Sequence, residues 1–235
     1  MNALKVLSGG AAEGLIKVLA PQFEKLTGFA IEGNYGAVGT MAGLLRGGAD
    51  ADIVVLTSAV LDRLSEDKLL RSGTPGNIGI VETAIAVRTN EHAPPIGSAD
   101  AVRDAFLQAD AIFVPDTKAS TAGIHIAKVF VQLGVADRIA SRLREFPNGA
   151  TAMRNLASFD GVHGIGCTQT TEILITPGLH LAGPLPKELA LATLYAAAIT
   201  ARSNNVPVAE KLIGLLTADA NRDIRTKAGF LSSSS

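Results

Sequence analysis

Short apolar runs alternate with longer segments whose apolar residues recur at a 3.6-residue period, the pattern of an α/β protein. Leu4–Leu7 reads as a strand. Ala12–Thr27 follows as a helix with Leu15, Val18, Leu19 and Phe23 on one face, and Gly28 suits its carboxyl-terminal cap. Phe29–Asn34 is the next strand, Thr40–Arg46 a helix stopped by Gly47-Gly48, Ile53–Leu56 a buried strand and Ser58–Leu70 a helix. A βαβαβα run of this kind predicts parallel strands joined by crossover helices. Gly79–Arg88 breaks the rhythm as a longer apolar strand, followed by the loop Thr89–Gly97 with Pro94-Pro95. A second α/β set then runs through helix Ser98–Ala109, strand Ala111–Val114 and helices Ala122–Gly134, Ala136–Leu143 and Thr151–Ala157. Strand Gly164–Gly166, helical turn Thr170–Ile175 and strand Leu179–Leu181 complete it. Pro186–Thr200 is apolar and reads as a strand buried on both faces. Helices Val206–Leu216 and Asp219–Ala228 close the chain, and Ser232–Ser235 reads as a frayed tail. Two α/β sets joined by one long strand predict two lobes and a cleft, with the site on loops at the carboxyl ends of parallel strands.

Composition narrows the function classes. The 235 residues are 47% hydrophobic, and 21 basic residues meet 22 acidic ones for a net charge of −1. That excludes a disordered chain, and it lacks the basic excess of a nucleic-acid binder. The single cysteine, Cys167, excludes an internal disulfide framework and a Cys-rich zinc site. No apolar run reaches the ~18 residues of a membrane span. Met1 leads straight into the first strand, with no basic and apolar leader before it. As written, the expectation is a cytoplasmic protein, or a periplasmic one if a leader has been removed.

Candidate chemistry lies in the loops that follow strands. Ser8-Gly9-Gly10-Ala11-Ala12 offers backbone N–H groups at a helix start, an arrangement suited to an anion; the glycines serve equally for a tight turn. Tyr35-Gly36-Ala37-Val38-Gly39-Thr40 repeats the pattern, with Tyr35 either presenting its hydroxyl or packing as an aromatic with a wet tip. Thr57 either caps a helix or faces a ligand, and capping is the better single reading. Ser120-Thr121-Ala122 again joins hydroxyls to a helix start, and Asn148-Gly149 opens another helix. Thr168 and Gln169 lie in a run dense in hydrogen-bonding groups, part of which suits a capping box. Lys118 and Arg154 are nearby cations expected to stay solvated. His125 is a ligand or proton donor only against the commoner alternative of a core histidine. No Walker loop, HExxH, Gly-x-Ser-x-Gly or dinucleotide glycine fingerprint occurs, and His92, His125, His163 and His180 show no metal-ligand spacing. No cofactor and no metal is expected.

The segments Val6–Ala12, Tyr35–Thr40, Gly48-Ala49-Asp50-Ala51-Asp52-Ile53-Val54, Thr121-Ala122-Gly123-Ile124 and Gly164-Ile165-Gly166 resemble the molybdate-binding group of bacterial ABC-transporter solute-binding proteins. The resemblance implies a type II periplasmic-binding-protein fold, α/β and two-lobed. Each lobe would be a mostly parallel sheet flanked by helices, with the ligand cleft between. Lobe one would take residues 1–82 plus 183–235 and lobe two residues 83–182. In that family two serine hydroxyls from the first two loops and a tyrosine hold the oxyanion. The matching positions here are Ala11, Val38 and the neighbourhood of Cys167, while backbone donors near Ala122 and Gly149 persist.

The expected ligand contacts are therefore Ser8, Gly9, Gly10, Ala11, Tyr35, Gly36, Ala37, Thr57, Ser120, Thr121, Ala122, Asn148, Gly149, Thr168 and Gln169. Their polar members suggest a larger anion with several acceptor oxygens, such as a di- or tricarboxylate. The expected function is solute binding of a small anion, with an ABC permease as partner if the protein is exported, and with no nucleic acid and no membrane insertion. The alternative is a cytoplasmic isomerase, because some proteins resembling this branch shift a double bond in aconitate. Such chemistry needs a base, for which His125, Glu172 and Glu13 are the candidates. A cytoplasmic ligand-sensing domain is a third reading.

Overall fold

Leu4, Val6 and Leu7, with the wholly buried Ile-Val-Val-Leu-Thr run, build the first parallel ladder of the chain. In the computed structural model, which describes residues 2–73 and 75–232, β1 (Ala3–Gly9) pairs parallel with both β2 (Ala30–Gly36) and β3 (Ile53–Thr57). The helices α1 (Glu13–Thr27), α2 (Val38–Arg46) and α3 (Ser58–Glu66) each follow one of these strands. A 3-10 turn over Gly10–Ala12 leads into α1, and Gly28 ends it at φ +73°, with its N–H on the Glu24 carbonyl. That left-handed cap is the one the glycine predicted.

The chain divides into two compact units. The first is Met1–Val81 with Thr193–Ser235, and the second is Glu82–Ala192. In the first unit β9 (Ala192–Ile199) returns antiparallel to β3, and helices α9 (Val206–Thr217) and α10 (Arg222–Lys227) close the layer. Its core joins Leu15, Leu19 and Phe23 of α1 to β1, β3, Tyr195 of β9 and Leu212 and Leu216 of α9. Of the serine tail expected to fray, Ser232 is exposed, and residues 233–235 lie outside the described residues.

The long strand β4 (Gly76–Arg88) begins in the first unit and continues into the second. There it pairs antiparallel with β7 (Gly164–Gln169) and with β8 (Leu179–Pro184). β5 (Ala111–Pro115) lies parallel to both β7 and β6 (Leu143–Phe146). Helices α4 (Ala99–Gln108), α5 (Thr121–Gln132) and α6 (Ala136–Ile139) supply one core, with Ile85, Val87 and Cys167. α7 (Gly149–Ala157) and α8 (Thr170–Leu174) supply another, with Ala84, Ala86 and Phe113.

Three expectations change. The helix expected over Ala136–Leu143 stops early, and Leu143–Phe146 is an edge strand whose central residues are exposed; with so little apolar alternation it carries no strand signal. Pro186–Thr200 is not one strand, because Lys187–Leu189 form a 3-10 turn before β9 begins. Residues 183–192, which the resemblance assigned to the first lobe, pack in the second unit. Leu185 and Leu189 are buried there, and the Leu185 N–H donates to the Thr83 carbonyl. Among the described residues no helix is long and apolar enough to cross a membrane.

Candidate functional site

Parallel strands aim their carboxyl ends the same way, so each unit gathers its own cluster of loops. In the first unit the register aligns Gly9 with Gly36, and β3 ends at Thr57 opposite Tyr195 of β9. Helical structure begins at once after each strand. The 3-10 turn leading into α1, and the helices α2 and α3, start from Gly9, Ala37 and Thr57, and none of these residues offers a side-chain cap. Gly10, Ala11, Ala12, Ala37, Val38 and Thr57 are nevertheless buried. Helix starts leave N–H groups without intrahelical partners, and such groups favour an anion.

The hydroxyls differ in what they can still donate. A hydroxyl has one proton. Ser8, fully buried, gives its proton to the Gly9 carbonyl at 2.9 Å, so its N–H neighbours rather than its hydroxyl are left to meet an anion. Thr57 occupies the cap position but makes no capping bond, against the expectation that capping would claim it.

Tyr35 turns back along β2. A Cβ on Gly33 would overlap its ring and hydroxyl, so the phenol lies upstream of the strand end, with the Lys17 ammonium 5.7 Å from the ring centroid. Burial, reinforced by the Glu13 carboxylate, pushes the phenol from 10.0 up to about 12. A raised acid favours the protonated fold below pH 10, and that contribution is lost as the pH rises through about 12. Tyrosinate absorbance compared between the wild type and Tyr35→Phe should therefore place this ionisation near 12; a midpoint at 10 would overturn the placement over Gly33. The tyrosine at the strand ends is instead Tyr195, which sequence reasoning missed. Its hydroxyl lies 3.5 Å from where a Cβ of Gly9 would stand, and its residue is 1% exposed. The available signal was a phenol inside an apolar run, since a buried tyrosine hydroxyl needs a polar partner.

In the second unit the carboxyl ends of β5, β6 and β7 lead to Ser120, Asn148 and Gln169. Asp116 shapes the first loop. Its Oδ1 accepts from the N–H groups of Lys118 and Ala119, both at 2.7 Å, and these bonds hold its carboxyl below the usual range. Ser120 Oγ then accepts from Gly123 N–H at 3.4 Å, and Asn148 Oδ1 from Thr151 N–H at 2.8 Å. Capping uses only lone pairs. The Ser120 proton and the Asn148 amide hydrogens remain donors, so the capping and binding readings are compatible. Thr121 and Ala122 form the first turn of α5.

Thr168 is different, because it donates to Glu172 Oε2 at 2.6 Å, and both residues are buried. A Cβ on Gly149 would overlap the Glu172 carboxylate and the Thr168 hydroxyl, so α7 starts against that carboxylate. Gln169 is buried at the start of α8 and offers no side-chain cap.

The proposed bases separate. His125 Nε2 is 2.8 Å from the Leu189 carbonyl, which can only accept, so in the neutral ring Nε2 carries the proton. Its contact is that of a core histidine. Glu172 lies with Thr168 and Gly149, and Glu13 pairs with Lys17 at 2.5 Å. Lys118 and Arg154 have exposed side chains. Burial pushes the Cys167 thiol up, away from reactivity. Among the described residues no three His, Cys, Asp or Glu side chains cluster to hold a metal ion.

Residues 4–231 match the family of bacterial extracellular solute-binding proteins. The chain belongs to that family. It is also 25% identical over 229 residues to an aconitate isomerase of a Pseudomonas species, an alignment covering 93% of this chain and 83% of the relative. The periplasmic molybdate-binding protein of Azotobacter vinelandii superposes with a TM-score of 0.81 at 19% identity, covering 98% of this chain and all of that one. A sulfate-binding protein of Mycobacterium tuberculosis superposes with a TM-score of 0.78 at 14% identity, covering 99% and 88%. This solute-binding protein thus has the α/β type II periplasmic-binding-protein fold that the resemblance implied.

Proposed function

We propose that this solute-binding protein takes a small anion, an oxyanion or a di- or tricarboxylate, and presents it to an ABC permease. The observation that carries the reading is the set of three buried helical starts in the first unit, at Gly9, Ala37 and Thr57, none of which has a side-chain cap. Buried N–H groups without partners are costly, and an anionic oxygen would satisfy them. Within the first unit Thr57 keeps a side-chain donor while Ser8 has committed its own. Within the second unit Ser120 and Asn148 keep donors while Thr168 has committed its own. The relatives that bind molybdate and sulfate support an anion as guest. Membership of an extracellular family supports the periplasmic setting and the permease partner.

A thermal-shift panel of molybdate, tungstate, sulfate, phosphate, citrate and cis- and trans-aconitate tests the reading. An anion at 100 times its dissociation constant adds about 2.7 kcal/mol, a shift of roughly 5–10 °C in a protein of this size. Ser120→Ala with Asn148→Ala should shrink the shift. A panel with no shift at all would sink the proposal.

A second reading, double-bond isomerisation of an aconitate, is favoured by the Pseudomonas relative and by the buried Glu172 carboxylate. An isomerase would exchange solvent deuterium into cis- or trans-aconitate and lose that exchange in Glu172→Gln. A carrier would bind without exchange.

A further inference from the structure

Thr83 lies where β4 passes the carboxyl end of β7. Its register partner is Gln169, the last residue of β7, while Ile85 faces Cys167 one step further in. Residues two apart on a strand share a face, so Thr83 stands with Ile85 and Val87 on the side whose core includes Ala122 and Ile126 of α5. It therefore sits at the rim of that core, at the edge of the sheet where β5 gives way to Ser120 and α5.

The residue is 1% exposed, and its hydroxyl makes no hydrogen bond. Thr171, in the first turn of α8, repeats the condition: it is 1% exposed and its Oγ1 is also without a partner. Buried hydroxyls are nearly always bonded, because stranding one costs about 1–3 kcal/mol. Valine fills the same volume without that cost. Two such hydroxyls, both at the carboxyl end of β7, make no sense as packing alone, whereas a ligand oxygen would satisfy them.

We infer that Thr83 and Thr171 are anion-binding residues of the second unit, each donating a hydroxyl hydrogen bond to an anionic oxygen. The inference rests on the anion-binding reading above and adds two donors to it. Unlike Thr168, neither has given its proton to a carboxylate. Both bring neutral donors rather than charge, which suits a guest recognised through several oxygens.

The test is Thr83→Val, with Thr83→Ser as the hydroxyl-retaining control and Thr171→Val as a second site. Each is measured without ligand by urea denaturation and with molybdate and trans-aconitate by calorimetric titration. The expected result is an unchanged or raised urea midpoint in the free protein, together with affinity weakened about 10- to 100-fold, the worth of one hydrogen bond to a charged partner. Thr83→Ser should stay within about threefold of the wild type. A lowered midpoint in both valine variants would mean that the hydroxyls serve the fold, and would overturn the inference. So would valine variants that bind as tightly as a wild type that binds. A wild type that binds neither probe overturns the anion reading for those anions, and this inference with it.

Discussion

Asp52→Ala should destabilise the protein by about 3–5 kcal/mol, lowering its melting temperature by roughly 10 °C. Asp52 is 7% exposed and its carboxylate holds three donors: Lys5 N–H at 3.0 Å, Ser203 Oγ at 2.7 Å and Asn205 Nδ2 at 3.1 Å. The backbone of the same residue is bound on both sides, its N–H to the Lys5 carbonyl and its carbonyl to Thr200 N–H. One residue thus ties the start of β3 to β1 and to the turn that launches α9. Asn205 stands at the cap position of α9 but spends its side chain on Asp52 instead. Alanine would strand three donors at once, and an unmet buried donor loses more than the bond itself was worth. Asp52→Asn keeps one acceptor and turns an NH2 group toward a donor, so it should recover only part of the loss. Urea denaturation with an unchanged m-value would measure both. A loss below about 1 kcal/mol for alanine would show that the turn over residues 200–205 is held by other contacts.

Gly123→Ala should cost about 3 kcal/mol or more, opposite in sign to what helix propensity predicts. In a free helix the change from glycine gains up to about 1 kcal/mol. Here a Cβ would overlap the carbonyl groups of Pro115 and Asp116, which are backbone and cannot swing aside. α5 would have to lift from the end of β5, carrying Ser120 with it. Overpacking of this kind costs about 1–3 kcal/mol where side chains can yield, and more where they cannot. Affinity for the anion should fall with stability, because the Ser120 hydroxyl and the first turn of α5 move together. Gly214, inside α9, is the control. Nothing lies within 4 Å of a Cβ there, so Gly214→Ala should stabilise by a few tenths to 1 kcal/mol. Equal effects at the two glycines, measured by urea denaturation, would overturn the distinction.

Much of the fold was legible because it is local. The 3.6-residue recurrence of Leu15, Leu19 and Phe23 and the unbroken Ile53–Thr57 run are carried by neighbours in sequence, and so is the glycine stop at Gly28. The helix starts expected at Ala12, Thr40 and Ser58 fall at Gly10, Val38 and Ser58, so the loops were placed and only their last residues shifted. The edge strand Leu143–Phe146 was not legible, since an edge needs little burial and leaves no alternation.

The site was legible as a set of loops but not as a set of donors. Whether a hydroxyl can serve an anion depends on where its single proton goes, and that partner is chosen by the fold. Ser8 donates its hydroxyl hydrogen bond to a neighbour's carbonyl and Thr168 donates its own to Glu172, whereas Ser120 accepts while capping a helix and keeps its donor. Tyr35 opens a loop and Tyr195 sits inside an apolar run, and neither setting says which phenol meets Gly9. β2 folds the first back over Gly33, and the antiparallel return of β9 brings the second beside Gly9. Pattern along the chain thus determined most of the strands and helices, and the family was visible in the segments that resemble it. Only tertiary structure decided which protons remain to be given, because hydrogen-bond partners far apart in sequence meet only once the sheet has formed.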